Sequence, residues 1–456
     1  MIRRVYVARW VLPIASPPIA HGAVAVEGER IVWVGPAASA PEGVRANLGD
    51  AALLPGFVNA HTHLELTVMR GFLEDPSFRG WIRRLTTARQ AVLTPAWHAA
   101  SARAGIAEGL LAGITAYGDV SDAGCSMEAM RTLGVRGVMF QEVFGPDPGQ
   151  CEASMRGLAF RVTALRGGES PLVRLGVSPH APYTVSDALF RAVAKLAAAQ
   201  QLPLAVHIAE SAAESGLVCA GTGEFADAWR ARGIAVAPRA RSPIALLYDT
   251  GVLGLQPLLV HAVRADAQDL EMVADSGSPV VHCPASNAKL GHGIAPVTEM
   301  RTRGIVVALG SDSVASSNRM DLLDEGRLAA LLQRVRGPDP AALSARDVLE
   351  MATLGGARSL GIDREVGTLE VGKAADMVAF GLDGLRDAPV YAPEEALVFG
   401  AAGRPARLVL VAGQTLVAAG ALMHDVRADL AAVVEAAQAL QTWSRDAESV
   451  APAVHA

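Results

Sequence analysis

Between about residues 56 and 364, short apolar runs alternate with longer Ala- and Leu-rich stretches. The runs at 56–60, 114–120, 135–144, 172–178, 202–206, 258–260, 279–281 and 305–310 are too short for helices and read as buried strands. Each is followed by a loop and then by helical periodicity, as at 188–199 and 322–334. Eight strand-then-helix units predict an α/β chain whose 56–364 segment is a (β/α)8 TIM barrel, with its functional residues at the carboxyl ends of the strands. A doubly wound open sheet shares the same alternation.

The two ends have a different texture. Ala23-Val24-Ala25-Val26 and Ile31-Val32-Trp33-Val34-Gly35 flank the polar turn Glu27-Gly28-Glu29-Arg30 and predict a hairpin. Strand and turn patterns return at 367–380 and 408–413. Residues 1–55 plus 365–425 are therefore expected to form one small β-sandwich domain built from both termini. The Ala-rich segment 426–444 predicts a helix, and 426–456 a C-terminal helix and tail that frays over 451–456.

Composition narrows the class. The 456 residues are 51% hydrophobic with net charge −6, and mean hydropathy is +0.29 with a pI near 6.0. A sizeable core is available, and the absence of a basic run disfavours nucleic acid as a partner. Cys125, Cys151, Cys219 and Cys283 are scattered without a C-x-x-C pair, which suits reduced thiols. No apolar segment reaches the ~20 residues of a membrane span. Pro13, Pro17 and Pro18 interrupt the only N-terminal candidate for a signal segment. These features predict a cytoplasmic protein without a membrane partner.

The chemistry concentrates at the strand ends. His61-Thr62-His63 follows the first run, and two imidazoles one residue apart on an extended chain face the same side. H-x-H alone is a weak signal; its partners strengthen it. His180, His207, His261, His282 and Asp312 each lie just past another apolar run. His61, His63, His207 and Asp312 make a donor set suited to one Zn2+ or Fe2+, with a position left for water. An ion there brings the pKa of a bound water to about 7. Glu210, three residues after His207, is placed to protonate a ring nitrogen and then a leaving amine. Asp312 can accept the proton of the water, and His261 can stabilise a tetrahedral centre.

Six segments carry a resemblance. They are Pro55-Gly56-Phe57-Val58-Asn59-Ala60-His61-Thr62-His63, Ser178-Pro179-His180-Ala181-Pro182-Tyr183-Thr184-Val185-Ser186, Val206-His207-Ile208-Ala209-Glu210, Leu259-Val260-His261, His282-Cys283-Pro284-Ala285-Ser286-Asn287-Ala288-Lys289-Leu290 and Leu309-Gly310-Ser311-Asp312-Ser313. Their order and spacing resemble the amidohydrolase superfamily, in its cytosine-deaminase-like branch, over roughly residues 1–425. The resemblance implies metal on His61, His63, His207 and Asp312, catalysis by Glu210, His261 and Asp312, and a homodimer. Two-metal members use a carbamylated lysine at the end of the fourth strand. Here that strand ends Gly176-Val177-Ser178-Pro179-His180, and the only lysines are Lys195, Lys289 and Lys373, which implies a single ion.

Within the branch the chain is most similar to adenosine- and S-adenosylhomocysteine-type deaminases and to aminodeoxyfutalosine deaminases of menaquinone biosynthesis. His63-Leu64-Glu65-Leu66, Phe78-Arg79-Gly80-Trp81-Ile82 and Gln141-Glu142-Val143-Phe144-Gly145 favour the last. The expected reaction replaces an exocyclic aromatic amine with oxygen and releases ammonia. The expected substrate is a small heteroaromatic amine, with aminodeoxyfutalosine ranked ahead of adenosine, methylthioadenosine and S-adenosylhomocysteine. Chloride hydrolysis on a triazine ring is the near alternative. A non-catalytic scaffold fits poorly with a complete donor set, and amide hydrolysis fits poorly without the bridging lysine.

Several residues carry two readings. His180 either contacts a purine or braces its loop, and Glu142 either binds ribose or forms a structural ion pair. Phe78 and Trp81, three apart in a helical stretch, pack a core or cover an aromatic substrate. His282 is expected to brace the barrel through its own hydrogen bonds, Ser286-Asn287 to fix a turn, and Arg83-Arg84 to form a solvated face.

Overall fold

The computed structural model describes residues 2–74, 77–337 and 339–450. Its centre is a ring of eight parallel strands: Phe57–Thr62, Ile114–Ser121, Arg136–Val143, Val173–Pro179, Ala205–Ile208, Leu258–His261, Val280–His282 and Val307–Leu309. The first four and the last four form separate ladders. Two parallel bridges join them, Val177 with Leu204 and Thr62 with Asp312. The second bridge closes the ring, so the architecture is a barrel and not an open sheet. Closure requires a close approach at Gly310, where a Cβ would stand 2.7 Å from Val281 Cγ1 and 3.0 Å from the His61 carbonyl oxygen.

The fifth strand begins later than its apolar run suggests. Pro203 has no N–H for a ladder. Its carbonyl instead accepts from Val177 at 2.9 Å, and regular pairing with the sixth strand runs from Ala205 to Ile208. His207 therefore sits inside the strand and not beyond it. The predicted helices at 188–199 and 322–334 appear as Asp187–Gln200 and Leu322–Arg336, started by the side-chain caps of Ser186 and Asp321.

Both chain ends contribute to one nine-stranded sheet. The hairpin is present as Ile19–Glu27 against Arg30–Pro36, turning at Gly28 with φ 58°. Arg3–Val11 pairs with Ile19–Glu27 on one side and, along successive halves, with Val44–Asn47 and Ala51–Pro55 on the other. From the far end, Met377–Gly381 pairs with Ala51–Pro55 and Leu408–Val411 follows. Tyr6, Val24, Ile31, Leu53, Met377 and Leu410 share the sandwich-like core. Only the end of 367–380 is strand, because Gly367 and Gly372, each at φ 94°, turn the chain first.

The helix Arg427–Val450 lies across the barrel's mouth-side helices, burying Ala436 and Leu440 with Leu66, Trp81 and Leu85. Arg84 belongs to this packing and not to a solvated face: its Nη2 donates to Ser444 Oγ at 2.7 Å and its guanidinium covers Phe72. Arg83 is exposed as expected. The tail expected to fray, 451–456, lies outside the described residues. All four cysteines are free, and no described helix is long and apolar enough to cross a membrane.

Candidate active site

Strand alternation sets the first pair. His61 and His63 face the barrel mouth while Thr62, between them, donates from Oγ1 to Asp119 at 2.7 Å. His61 Nε2 lies 3.3 Å and His63 Nε2 3.7 Å from Asp312 Oδ1. His63 Nε2 faces His207 Nε2 across 3.2 Å. His61, His207 and His261 also bring ring nitrogens within 4.8 Å of one another, as do His61 and His63 with an Asp312 oxygen.

These imidazoles are held neutral. Burial lowers His61 to about 4. His63 falls to about 3 through burial and repulsion by His61, and His207 to about 3 through burial and repulsion by His63. Burial alone would raise Asp312, but the surrounding histidines outweigh it and hold the carboxylate well below its usual range. Neither ring nitrogen of His61 has a hydrogen-bond partner among the described residues. Neutral imidazole lone pairs converging on an ionised carboxylate are the donor chemistry a divalent cation takes, and the residues present fit one.

Asp312 is fixed from behind: Ser286 Oγ donates to Oδ2 at 2.5 Å, Ser316 Oγ at 3.3 Å, and the Ser313 backbone N–H to Oδ1 at 2.7 Å. Ser286 thus orients a carboxylate as well as standing in a turn. Asp312 (φ 57°) and His261 (φ 77°) both occupy the left-handed region, a strain that non-glycine residues carry mainly at functional sites.

Glu210 follows the fifth strand at a clamped turn, where the backbone N–H groups of Ala209 and Glu210 donate to Glu214 at 2.9 and 2.7 Å. Its Oε1 lies 3.5 Å from His261 Nε2 and 3.3 Å from His292 Nε2, and Tyr183 Oη donates to Oε2 at 3.3 Å. Burial pushes Glu210 up, but His261, His292 and His207 together bring it below its ordinary value.

These residues open into one cavity lined by His63, His207, Glu210, His261 and Asp312 at its base and by His180, Glu142 and Phe144 on one wall. His180 braces its loop and also lines the cavity. Its carbonyl accepts from the His207 backbone at 2.9 Å, its Nδ1 pairs with Thr184 Oγ1 at 2.7 Å, and its ring faces the cavity. Glu142 Oε1 is 3.8 Å from His180 Nε2 and is buried without a hydrogen-bond partner. Burial, reinforced by Asp122 and Glu65, pushes its carboxyl well up.

The opposite wall is the helix Phe78–Val92, which Ser77 caps. Phe78, Trp81, Ile82, Leu85, Thr86 and Arg89 recur on one face at helical spacing and all line the cavity. Trp81 also packs on the C-terminal helix, so the core and cavity readings both hold for it. Arg89 pairs with Asp122 and lies 3.5 Å from Glu65.

One expectation fails. His282 is fully buried, yet neither ring nitrogen has a hydrogen-bond partner among the described residues. It ties the barrel end through its backbone carbonyl, which accepts from the Gly310 N–H at 3.0 Å, and its ring contributes packing only. The sequence reading also missed residues. Tyr183 sits within the Ser178–Ser186 segment, where nothing in the local pattern sets it apart. Arg89 continues the Phe78–Trp81 spacing by two further turns. His292 offered only a histidine between two glycines.

The amidohydrolase family pattern matches residues 52–416. A 5-methylthioadenosine/S-adenosylhomocysteine deaminase of Syntrophobacter fumaroxidans is 35% identical over 86% of this chain and 87% of its own. The crystal structure of an adenosine deaminase from Xanthomonas campestris with bound zinc superposes with a TM-score of 0.86 at 30% identity, covering 96% of this chain and 98% of its own. That of an atrazine chlorohydrolase from Arthrobacter aurescens, complexed with zinc, gives 0.82 at 26% identity, covering 95% and 100%. The chain belongs to the amidohydrolase family and is a hydrolase acting on non-peptide C–N bonds.

Proposed function

We propose that the protein is a nucleoside deaminase that replaces the exocyclic amine of an adenine-type base with oxygen. The observation that carries this reading is the placement of Glu210. A buried carboxylate, held by His261 and Tyr183, enters the same cavity as His63, His207 and Asp312. The names of the deaminases it resembles support the same reaction.

His61, His63, His207 and Asp312 would hold one divalent ion, which supplies the Lewis acidity that brings the pKa of a water to about 7. Zinc is the favoured ion, as in the Xanthomonas campestris structure. No lysine lines the cavity: Lys289 pairs with Glu74 at 2.8 Å, Lys373 donates to the Asp363 carbonyl at 2.7 Å, and Lys195 lies on the Asp187–Gln200 helix. A second, lysine-bridged ion therefore has no ligand.

Asp312, whose carboxylate is held in place by Ser286, Ser313 and Ser316, takes the proton of the attacking water. Glu210, in its protonated form, protonates the ring nitrogen beside the amine-bearing carbon, takes up the hydroxyl proton of the tetrahedral centre and delivers it to the departing ammonia. The proton held by Asp312 returns to Glu210 and completes the cycle. His261 stabilises the oxygen of the tetrahedral centre. Phe78, Trp81 and Phe144 enclose the aromatic base, and His180 and Glu142 face the sugar.

The far wall bears on the substituent at the sugar's 5′ position. Its only cation is Arg89, which is already flanked by two carboxylates, Asp122 and Glu65. Around it stand Ile82, Leu85 and Leu66. Such a wall offers no unpaired positive charge to an anionic group and accepts a neutral one. This ranks methylthioadenosine and adenosine ahead of aminodeoxyfutalosine, whose benzoate is anionic.

The test is ammonia release by the metal-loaded protein from adenosine, methylthioadenosine, S-adenosylhomocysteine, aminodeoxyfutalosine, guanine, cytosine and a chlorotriazine. Efficient turnover of one adenine nucleoside supports the proposal; silence on every amine overturns it.

A further inference from the structure

The deaminase reading uses Glu210 but leaves a second imidazole beside it unassigned. His292 is 7% exposed and stands outside the cavity lining, on the far side of the Glu210 carboxylate. Its Nε2 is 3.3 Å from Glu210 Oε1, a close approach short of hydrogen-bond geometry, and has no hydrogen-bond partner among the described residues. Its ring meets Phe78 edge to face, with centroids 4.5 Å apart. The local sequence explains the inward aim. Gly291 (φ 71°) and Gly293 (φ 112°) bracket His292 in backbone conformations that side chains rarely adopt, and the His292 N–H is tied to the Asn287 carbonyl at 2.9 Å.

We propose that His292 is a positioning residue for Glu210. It holds Oε1 from behind and couples that carboxylate to Phe78, the first residue of the helix that walls the cavity. The inference rests on the role given to Glu210 above. A buried carboxylate that keeps only one of two imidazoles at the same oxygen rotates more freely and favours its neutral form more. His292 opposes both. The other groups facing Glu210 are His261, His207 and Tyr183, with Glu214 behind its backbone. Of these only Tyr183 also meets the Phe78 ring, with centroids 6.0 Å apart against 4.5 Å for His292. The contact therefore gives the helix a route to the acid–base group: displacing Phe78 removes the packing that orients the imidazole.

The test compares wild-type holoenzyme with His292→Phe, which keeps the ring against Phe78, and His292→Gln, which keeps a donor near Oε1. Two readouts are used: the pH profile of ammonia release from adenosine, and the Glu210 carboxyl titration by NMR of 13C-labelled glutamate, assigned with Glu210→Gln. The Phe variant is expected to lose about tenfold in kcat with little change in KM, and its acid limb and the Glu210 titration are expected to move up by about one pH unit. The Gln variant is expected to recover most of both. An unmoved Glu210 titration in the Phe variant overturns the proposal. If the wild type releases no ammonia, the deaminase reading fails, while the titration still decides the role of His292. A Phe variant that fails to fold leaves His292→Gln against His292→Ala as the deciding pair.

Discussion

The backbone N–H of Asp312 donates to the carbonyl oxygen of His61 at 3.0 Å, and the same two residues bring their side chains within 3.3 Å. One contact thus closes the barrel and assembles the candidate site. The opposite seam repeats the arrangement, with the His207 N–H donating to the His180 carbonyl at 2.9 Å. Of the four residues in these two bonds, His180, His207 and Asp312 line the cavity.

Because the closing bond is made by backbone, side-chain substitution at Asp312 should leave the fold intact. Asp312→Asn is expected to lower kcat roughly 10³-fold or more, since it removes the base that takes the proton of the water. His207→Ala should do the same by removing a ligand. Metal content by elemental analysis should fall in the second, and circular dichroism should match the wild type in both. Near-normal turnover in either variant would reject the mechanism.

The neutral histidines give the metal-free protein an acid-sensitive stability. Burial lowers His61, His63 and His207 to about 4, 3 and 3, below the 6.5 of an unfolded chain. Above pH 6.5 neither state binds these protons, so their contribution is constant. As pH falls from 6.5 towards 4 the unfolded chain takes them up and the folded chain does not. Stability therefore drops, with a limiting slope of about 1.4 kcal/mol per pH unit for each imidazole. Zinc should raise the melting temperature across this window and leave the slope in place, because the folded imidazoles bind no proton there with or without the ion. His282, lowered to about 3 by burial, adds a share of the same sign. Thermal melts of chelated and zinc-loaded protein between pH 5 and 8 measure both effects; identical curves would remove these histidines from any metal site.

The convergence of His61, His63, His207 and Asp312 was legible in the sequence because each lies at or next to a strand end, where periodicity and motif coincide. His207 was one register off, since Pro203 delays its strand, but strand alternation still points it to the mouth. What stayed hidden depends on contacts between distant segments. Nothing near Ser286 announces a bond to Asp312, and nothing near His292 announces Glu210, some eighty residues earlier. The helix Phe78–Val92 carried a readable stripe, yet periodicity alone does not separate a face packed on protein from one packed on a cavity. Trp81 does both.

Trp81 tests that wall. Trp81→Ala removes an aromatic surface against the substrate's base, and it leaves the proton-transfer groups in place. KM is expected to rise about tenfold, in line with the ~1 to 3 kcal/mol of stacking on one base, with a smaller loss in kcat. Steady-state kinetics with the preferred nucleoside gives both values, and an unchanged KM would remove Trp81 from the substrate wall.

The charge of the far wall makes a sharper claim about specificity. Asp122→Asn should free the Arg89 guanidinium from its nearer carboxylate and leave Glu65 at 3.5 Å. Turnover of aminodeoxyfutalosine is then expected to improve relative to methylthioadenosine by about tenfold, the equivalent of one exposed charge pair strengthened by partial burial. Wild-type preference for the anionic nucleoside would overturn the assignment of that wall.

Glu210 separates deamination from chloride hydrolysis. An amine leaves from a tetrahedral carbon only after gaining a proton, whereas chloride leaves as an anion and needs none. The burial of Glu210 and its contacts with His261 and Tyr183 suit a group that loads and delivers protons in a water-poor cavity. Glu210→Gln keeps the size and one acceptor but carries no transferable proton. Ammonia release is therefore expected to fall roughly 10³-fold or more. Any chloride release from a chlorotriazine should fall far less, because only its ring-nitrogen protonation is lost. Measuring both products from the same variant decides the matter: equal losses would mean that Glu210 serves ring activation alone and that proton delivery to the leaving group comes from elsewhere.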